Sequence, residues 1–308
     1  MKTVCFTNAQ NNVKGTSVAL GMFDGVHMGH RRIITAAKNK STELGVPSAV
    51  LLFSRSPRKA PVLLSLNERL REIEALGIDV VYVYDFEEIA HLTPEQFVLE
   101  ELVGKLSVRA VSVGYNYRFG KGASGDAETM RSLCAENGVV CHVSNAVLHL
   151  GEGISSSRIR ALLKEGNVEL VNELLTYPYY ICSEVVHGKE LGRNIGLPTI
   201  NQYFCDDHAE MARGIYYTKT YVDGKAYISV SNLGVRPTVE NTEVINLETH
   251  IIGFDGDLYG KEVKVEFYGK GRGEMRFDSV DALRCEVMRD VERAKEFFLE
   301  VAECRKTE

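Results

Sequence analysis

Two histidines three residues apart, His27 and His30, fall in the run Gly21-Met22-Phe23-Asp24-Gly25-Val26-His27-Met28-Gly29-His30. The apolar Val18-Ala19-Leu20 before it reads as a buried strand, and residues 31–38 after it read as a helix. A Gly-rich strand-to-helix turn favours anions, because helix N–H groups point outward there and the dipole is positive. Gly21, Gly25 and Gly29 let the backbone approach a phosphate, and two imidazoles can bond to phosphoryl oxygens and to developing charge. The spacing predicts a site for the triphosphate of a nucleotide, with Phe23 and Asp24 in the same turn. The alternative is a solvent-facing loop with incidental histidines.

Two further loops belong with that turn. Ser155, Ser156 and Ser157 stand where a helix N-cap belongs, and Arg158 falls in the first helical turn. Capping explains one serine, but a cation at a helix N-terminus opposes the dipole, and a bound polyphosphate would reverse that penalty. Residues 114–126 follow an apolar strand and carry four glycines, three aromatics, Asn116, Arg118 and Lys121. Phosphate-facing cations and a flat surface for a ring would use that mix.

The second half has its own constellation. Gly188, Lys189, Gly192, Arg193, Gly196 and Pro198 form a loop able to wrap phosphates through backbone N–H groups, without the Gly-Lys-Ser/Thr ending of a Walker A motif. Thr199 and Asn201, two residues apart, point the same way in an extended segment, and their oxygens are hard donors suited to Mg²⁺. Residues 243–252 alternate, with Asn246, Glu248 and His250 on one face. Glu248 could there accept a hydroxyl proton during phosphoryl transfer, or be an ordinary exposed strand residue.

Elements must hold these groups in place. Strands are expected at 47–53, 79–84, 110–114 and 139–143. Helices are expected at 66–77, from Thr93 with Pro94 at its first position, at 128–137, and from about 158 to Gly166. The helix after Thr93 carries Phe97, Leu99 and Leu102 as its apolar residues. Strands alternating with helices predict a doubly wound parallel sheet, whose ligands lie at the carboxyl ends of the strands. From about residue 177 short strands take over, including a hairpin at 216–231 around Asp223-Gly224. They predict a small antiparallel β-barrel covered by a C-terminal helix over 278–302. The fold class is α/β with two domains, 1–176 and 177–308.

The chain has 308 residues, enough for two cores, and a formal net charge of -6, which points away from nucleic acid and membrane surfaces as partners. Seven cysteines form no Cys-x-x-Cys pair. With no long apolar segment either, a reducing cytoplasm is the expected location. Nothing in the sequence sets an oligomeric state.

Taken together, the motifs resemble a known family. Gly-x-Phe-Asp-Gly-x-His-x-Gly-His, Arg-Phe-Gly-Lys-Gly at 118–122 and Ile154-Ser155-Ser156-Ser157-Arg158 are similar to the nucleotidyltransferase half of the bacterial bifunctional riboflavin kinase/FAD synthetases. Gly-x-x-x-Gly-Arg-x-x-Gly-x-Pro-Thr-x-Asn, Asn232-Leu233-Gly234-Val235-Arg236-Pro237-Thr238, Leu247-Glu248-Thr249-His250 and Asp257-Leu258-Tyr259-Gly260 resemble the kinase half.

The resemblance implies a six-stranded barrel that phosphorylates riboflavin with Mg-ATP, and an N-terminal domain that adenylylates FMN to FAD and releases pyrophosphate. His27 and His30 would hold the transferring phosphates, with Ser155, Ser156 and Arg158 opposite and Asn116 and Arg118 in the ligand loop. Thr199 and Asn201 would carry Mg²⁺, Glu248 would activate the ribityl hydroxyl, and Phe53 and Arg272 would lie near flavin. The chain departs from the family at Leu52-Phe53-Ser54-Arg55-Ser56-Pro57, where Thr-Phe-x-Pro-His-Pro is usual. Rival readings are a kinase with a degenerate N-terminal domain, and a flavin-binding regulator without turnover.

Overall fold

A computed structural model describes residues 1–5, 15–55, 60–188, 192, 196–204, 207–237 and 243–304. The chain divides into two compact units, Met1–Ser156 and Ser157–Glu308.

The first unit is built on six parallel strands: β1 (Lys2–Cys5), β2 (Ser17–Leu20), β3 (Ser48–Phe53), β4 (Val80–Tyr84), β5 (Ala110–Gly114) and, after two short strands β6 (Arg118–Phe119) and β7 (Gly125–Asp126), β8 (Val140–Ser144). Their order is β1-β4-β3-β2-β5-β8. The chain winds outward from β2 through β3 and β4, then returns to place β5 on the other side of β2. The order therefore reverses between β2 and β5, and a crevice opens at their carboxyl ends.

Alternate strand residues feed two cores, as a sheet covered on both faces requires. Ala19 and Val50 meet Ile34 and Ala37 of α1 (Met28–Leu44) and Ile73 of α2 (Leu66–Ala75). Val18, Leu20 and Leu51 belong to the opposite core, with Met130 of α5 (Ala127–Glu136). Between them in sequence, α3 (Phe86–Ile89) and α4 (Pro94–Gln96) are single turns, and Thr93 caps α4 with Pro94 at its first position. The helix expected beyond Thr93 winds instead as a π-helix over Phe97–Lys105. Its i→i+5 ladder turns Val98 and Leu102 into the core and leaves Leu99 47% exposed, so Leu99 is not a core residue. A short hairpin, β9 (Leu148–His149) and β10 (Glu152–Gly153), then leads to Ser155 and Ser156.

The second unit begins within α6 (Ser156–Glu165), followed by α7 (Val168–Leu175). Both helices are bonded to the barrel. Leu163 accepts from the Ala212 N–H, Asn172 Nδ2 donates to the Phe267 carbonyl, and Asn172 Oδ1 accepts from the Tyr179 N–H. The division expected after residue 176 thus falls later than the compact one.

The barrel has six strands: β11 (Tyr180–Glu184), β12 (Ile200–Tyr203), β13 (Gly214–Val222), β14 (Lys225–Pro237), β15 (Glu243–Ile251) and β16 (Glu262–Arg272), in the order β11-β16-β13-β14-β15-β12. All its pairings are antiparallel. Across the seam, Gln202 Nε2 donates to the carbonyls of Ser183 and Val263, both at 2.8 Å. The C-terminal helix α8 (Val280–Cys304) buries Val291, Ala294 and Phe298, spaced three and four residues apart as one helix face requires.

The barrel interior is partly polar. Thr220, Ser229, Thr218, Ser231 and Thr249 are fully buried, and their hydroxyls form a chain with every step 2.8 Å. A hydroxyl both donates and accepts, so the chain satisfies itself without water. Thr218 bonds two neighbours. Thr218→Val keeps its shape but strands them, and urea unfolding is expected to show a loss of about 1–3 kcal/mol.

Candidate functional sites

The first site forms at the strand-order reversal. Its turn folds through three left-handed residues: Phe23 at φ +50°, Gly25 at +82° and Val26 at +37°. The two non-glycine residues are fully buried, so packing holds the left-handed backbone that local sterics oppose. Phe23 sits edge-on to the His30 ring at 5.4 Å and lies under Gly21, where a Cβ would come within 3.0 Å of the phenyl. Gly29 lies similarly against the His27 ring.

His27 is the N-cap of α1: its Nδ1 accepts from the His30 N–H at 3.3 Å. A neutral ring whose Nδ1 accepts carries its proton on Nε2, so His27 offers an N–H donor. The His30 ring stacks on it with centroids 3.6 Å apart. His30 Nδ1 is buried with no hydrogen-bond partner among the described residues. Burial lowers the His27 pKa from 6.5 to about 4. Burial, and then the neighbouring His27 and Arg69, hold His30 well below 6.5. Two neutral rings thus stand at the positive end of a helix with no acidic residue in its first turn.

Two residues tie the surrounding loops to this turn. Asp24 Oδ1 accepts from the Leu63 and Leu64 N–H groups, while its carbonyl accepts from Ser156 Oγ at 2.9 Å. The expected serine loop therefore meets the histidine turn through Ser156, with Ser155 beside it in sequence. Arg69, which the sequence reading did not single out, is 2% exposed and donates to the carbonyls of Met22, Phe53 and Ser54. It follows Glu68 of the Ser65/Glu68 capping box, and nothing local distinguishes it from a surface arginine.

Asn116 is exposed just beyond the carboxyl end of β5, and Arg118 pairs with Asp126 at 3.6 Å across the β6–β7 hairpin. Arg158 is in the first turn of α6. Phe53 ends β3, half-buried and edge-on to Phe86 at 5.3 Å. Ser56 and Pro57, in the loop that departs from the family pattern, lie outside the described residues.

The second site lies on β12 and β15. Asn201 and Glu248 are direct cross-strand partners, and Asn232 on β14 faces Glu248 from the other side. Asn201 is 5% exposed, while Glu248 is exposed. Asn246, buried two residues before Glu248 on the same face, donates from Nδ2 to Asn201 Oδ1 and to Glu248 Oε1, both at 3.1 Å. Alternation along β15 already placed Asn246 on this face.

The glycine loop packs against these residues. A Cβ at Gly188 would lie 2.3 Å from Asn201 Nδ2, and one at Gly192 would lie 2.3 Å from the Leu197 carbonyl oxygen and 3.4 Å from Thr199 Oγ1. Both positions therefore require glycine. Gly196 takes φ +75°, and exposed Pro198 accepts at its carbonyl from His250 Nδ1 at 2.9 Å. Lys189 and Arg193 lie outside the described residues.

A cavity of about 470 Å³ opens beside Pro198 and Thr199, lined also by Val185, Thr249, Ile251, Phe254, Asp257 and Tyr259. The oxygens of Thr199 and Asn201 are hard donors and fit Mg²⁺, and Asn246 Oδ1 beside them is buried with no hydrogen-bond partner among the described residues. Arg272 is engaged elsewhere: its guanidinium bonds Asp290 of α8, with Nη2–Oδ2 at 2.6 Å.

Comparison with known proteins agrees with this division. The family model for FAD synthetase matches residues 9–158, and that for riboflavin kinase matches 175–298. A bifunctional riboflavin kinase/FMN adenylyltransferase of Bacillus subtilis (strain 168) is 34% identical over 314 residues, covering 97% of this chain and 98% of its own. Its counterpart in Escherichia coli (strain K12) is 35% identical over 294 residues, covering 92% and 93%. The crystal structure of a macrolide-efflux protein from Streptococcus pneumoniae has the same fold, with a TM-score of 0.86 and 28% identity over 96% of this chain and 99% of that one. With full-length relatives at this identity, the chain belongs to the bifunctional riboflavin kinase/FMN adenylyltransferase family.

Proposed function

We propose that the two units divide two consecutive reactions and that the residues described above perform them. Riboflavin is phosphorylated by ATP to FMN in the C-terminal unit, and FMN is adenylylated to FAD with release of pyrophosphate in the N-terminal unit. The match to both family models, with relatives named for both activities along the full chain, carries this reading. A kinase with a degenerate first domain and a non-catalytic regulator are not favoured. A net charge of -6 supports small-molecule substrates, and the free cysteines among the described residues support a reducing cytoplasm. No described helix is long and apolar enough to cross a membrane.

In adenylyl transfer an FMN phosphate oxygen attacks the α-phosphorus of ATP and the bond to pyrophosphate breaks. No covalent enzyme intermediate is needed, so positioning and charge stabilisation do the work. The His27 Nε2–H and the α1 N-terminus supply donors to the transferring phosphoryl group, and the buried His30 nitrogen gains a partner in the same ligand. Asn116, Arg118, Ser155, Ser156 and Arg158 hold the rest of the nucleotide.

In the kinase, Glu248 takes the ribityl hydroxyl proton as that oxygen attacks the γ-phosphorus and ADP leaves. Gly188, Lys189, Gly192, Arg193, Gly196 and Pro198 wrap the phosphates. Thr199 and Asn201 hold Mg²⁺, which when bound neutralises phosphate charge. Phe53 contributes to the flavin side of the first site. Arg272, anchored to Asp290, supports the flavin side of the second by fixing the end of β16 against α8.

Incubation with riboflavin, ATP and Mg²⁺ followed by flavin separation should yield both FMN and FAD, and absence of both would refute the reading. Glu248→Gln is expected to lower riboflavin phosphorylation by about 10²–10⁴-fold, leaving adenylylation of supplied FMN unchanged. An unaltered kinase rate would remove Glu248 from the mechanism.

His27→Asn makes the complementary test. Asparagine still caps a helix, so α1 stays intact, but the Nε2–H is lost. Pyrophosphate release from FMN and ATP should fall by about 10²–10³-fold with riboflavin phosphorylation unchanged.

The depressed His27 pKa also fixes a pH dependence. Between pH 6.5 and about 4 the unfolded chain binds a proton at this ring that the folded chain does not. Stability from this group is complete above pH 6.5 and falls as pH drops towards 4, by on the order of 3 kcal/mol in all. Urea midpoints of wild type and His27→Asn should therefore converge as pH is lowered through this range.

A further inference from the structure

Three side chains on neighbouring strands make a directional chain. Glu248 presents a carboxylate, which only accepts hydrogen bonds. The Asn246 atom facing Glu248 Oε1 at 3.1 Å must therefore be the nitrogen, and its second hydrogen reaches Asn201 Oδ1, also at 3.1 Å. This orients the Asn201 amide in turn, with oxygen towards Asn246 and nitrogen towards Gly188. Asn246 itself is 4% exposed, and its Oδ1 points away from both neighbours, buried, with no partner among the described residues. An amide that has used both donors and left its acceptor empty is incomplete without a ligand.

We propose that Asn246 is a positioning residue of the kinase site. Its NH₂ group couples the carboxylate of Glu248 to the amide of Asn201, and its Oδ1 accepts from a hydrogen-bond donor brought by the bound substrate complex, a hydroxyl or a metal-held water. The inference rests on Asn201 as metal ligand and Glu248 as base. It adds that neither is oriented alone. An outer group that turns a ligand oxygen towards a cation commonly changes affinity or rate by about 10–100-fold.

Two substitutions separate this from a packing role. Asn246→Leu keeps the volume and removes every polar atom. Asn246→Asp keeps the shape and the acceptor but lacks the two donors, so a mere filler would be rescued by it. Both variants should lose riboflavin kinase kcat by about 10–100-fold and need more Mg²⁺ for half-maximal rate. Adenylylation of supplied FMN by the same preparations should match wild type, which reports that the chain is folded.

The second readout is binding. Mn²⁺ is titrated into the protein with ADP and followed through the paramagnetic signal of the free ion, with Asn201→Ala defining the sites that belong to the kinase. Those sites should weaken at least tenfold in Asn246→Leu. If Asn201→Ala leaves Mn²⁺ binding untouched, the metal-ligand reading beneath the inference fails. If Asn201→Ala weakens binding but both Asn246 variants keep wild-type kinase kcat and Mn²⁺ affinity, the role given to Asn246 is wrong.

Discussion

Both sites are organised by a charged side chain that can hydrogen-bond in only one sense. Arg69 only donates, and it lies buried where the carboxyl ends of β2 and β3 would otherwise leave main-chain carbonyls unanswered. Its three bonds pin the start of the histidine turn and the exit of β3 to α2. Glu248 only accepts, and that sense passes through Asn246 to Asn201. Neutral groups in these places could satisfy their neighbours with the amide or carbonyl turned either way. A charge removes the choice, and a site that must meet phosphate or cation with the correct atom depends on that.

In the proposed adenylyl transfer, the first site would gain from rings that are not themselves charged. An imidazolium would bind ground-state triphosphate as strongly as the transition state, which tightens binding without raising the rate. A buried neutral ring instead presents a fixed N–H whose worth grows as charge develops on the phosphoryl oxygens. Burial is what depresses both pKa values, and His27 contributes to His30 as a close neighbour. The helix cap fixes the direction of the His27 ring, since its Nδ1 is taken by the backbone N–H of His30, while the His30 ring stacks on it.

Much of this could be read from residue order, because local rules and tertiary demands agree there. The strand at 110–114, the Thr93 cap and the Asp-Gly hairpin each follow from period or turn chemistry alone. Strands β1 and β11 were not singled out, since four or five residues at a sheet edge or barrel seam carry too little alternation to stand out. The π-helix at Phe97–Lys105 was hidden for another reason: its residues suit any helix, and only packing decides the pitch. Glu248 and the histidines were visible as types at a spacing. Arg69 was not, because a buried arginine looks like a surface one until the carbonyls it serves, far apart in sequence, are brought together.

The strand that carries Glu248 shows how the barrel uses its two faces. Successive residues point opposite ways, so Leu247 and Thr249 enter a fully buried interior while Asn246 and Glu248 face outward. Inside, Thr249 ends the hydroxyl chain by bonding Ser231, its partner on β14. Outside, Asn246 bonds across to Asn201 on β12. The backbone at Glu248 is therefore held from within and from without, by residues one position after it and two before it. A carboxylate that is itself exposed can then keep a fixed direction without burial, and the role of base proposed for Glu248, which needs access to a small substrate, would require that combination.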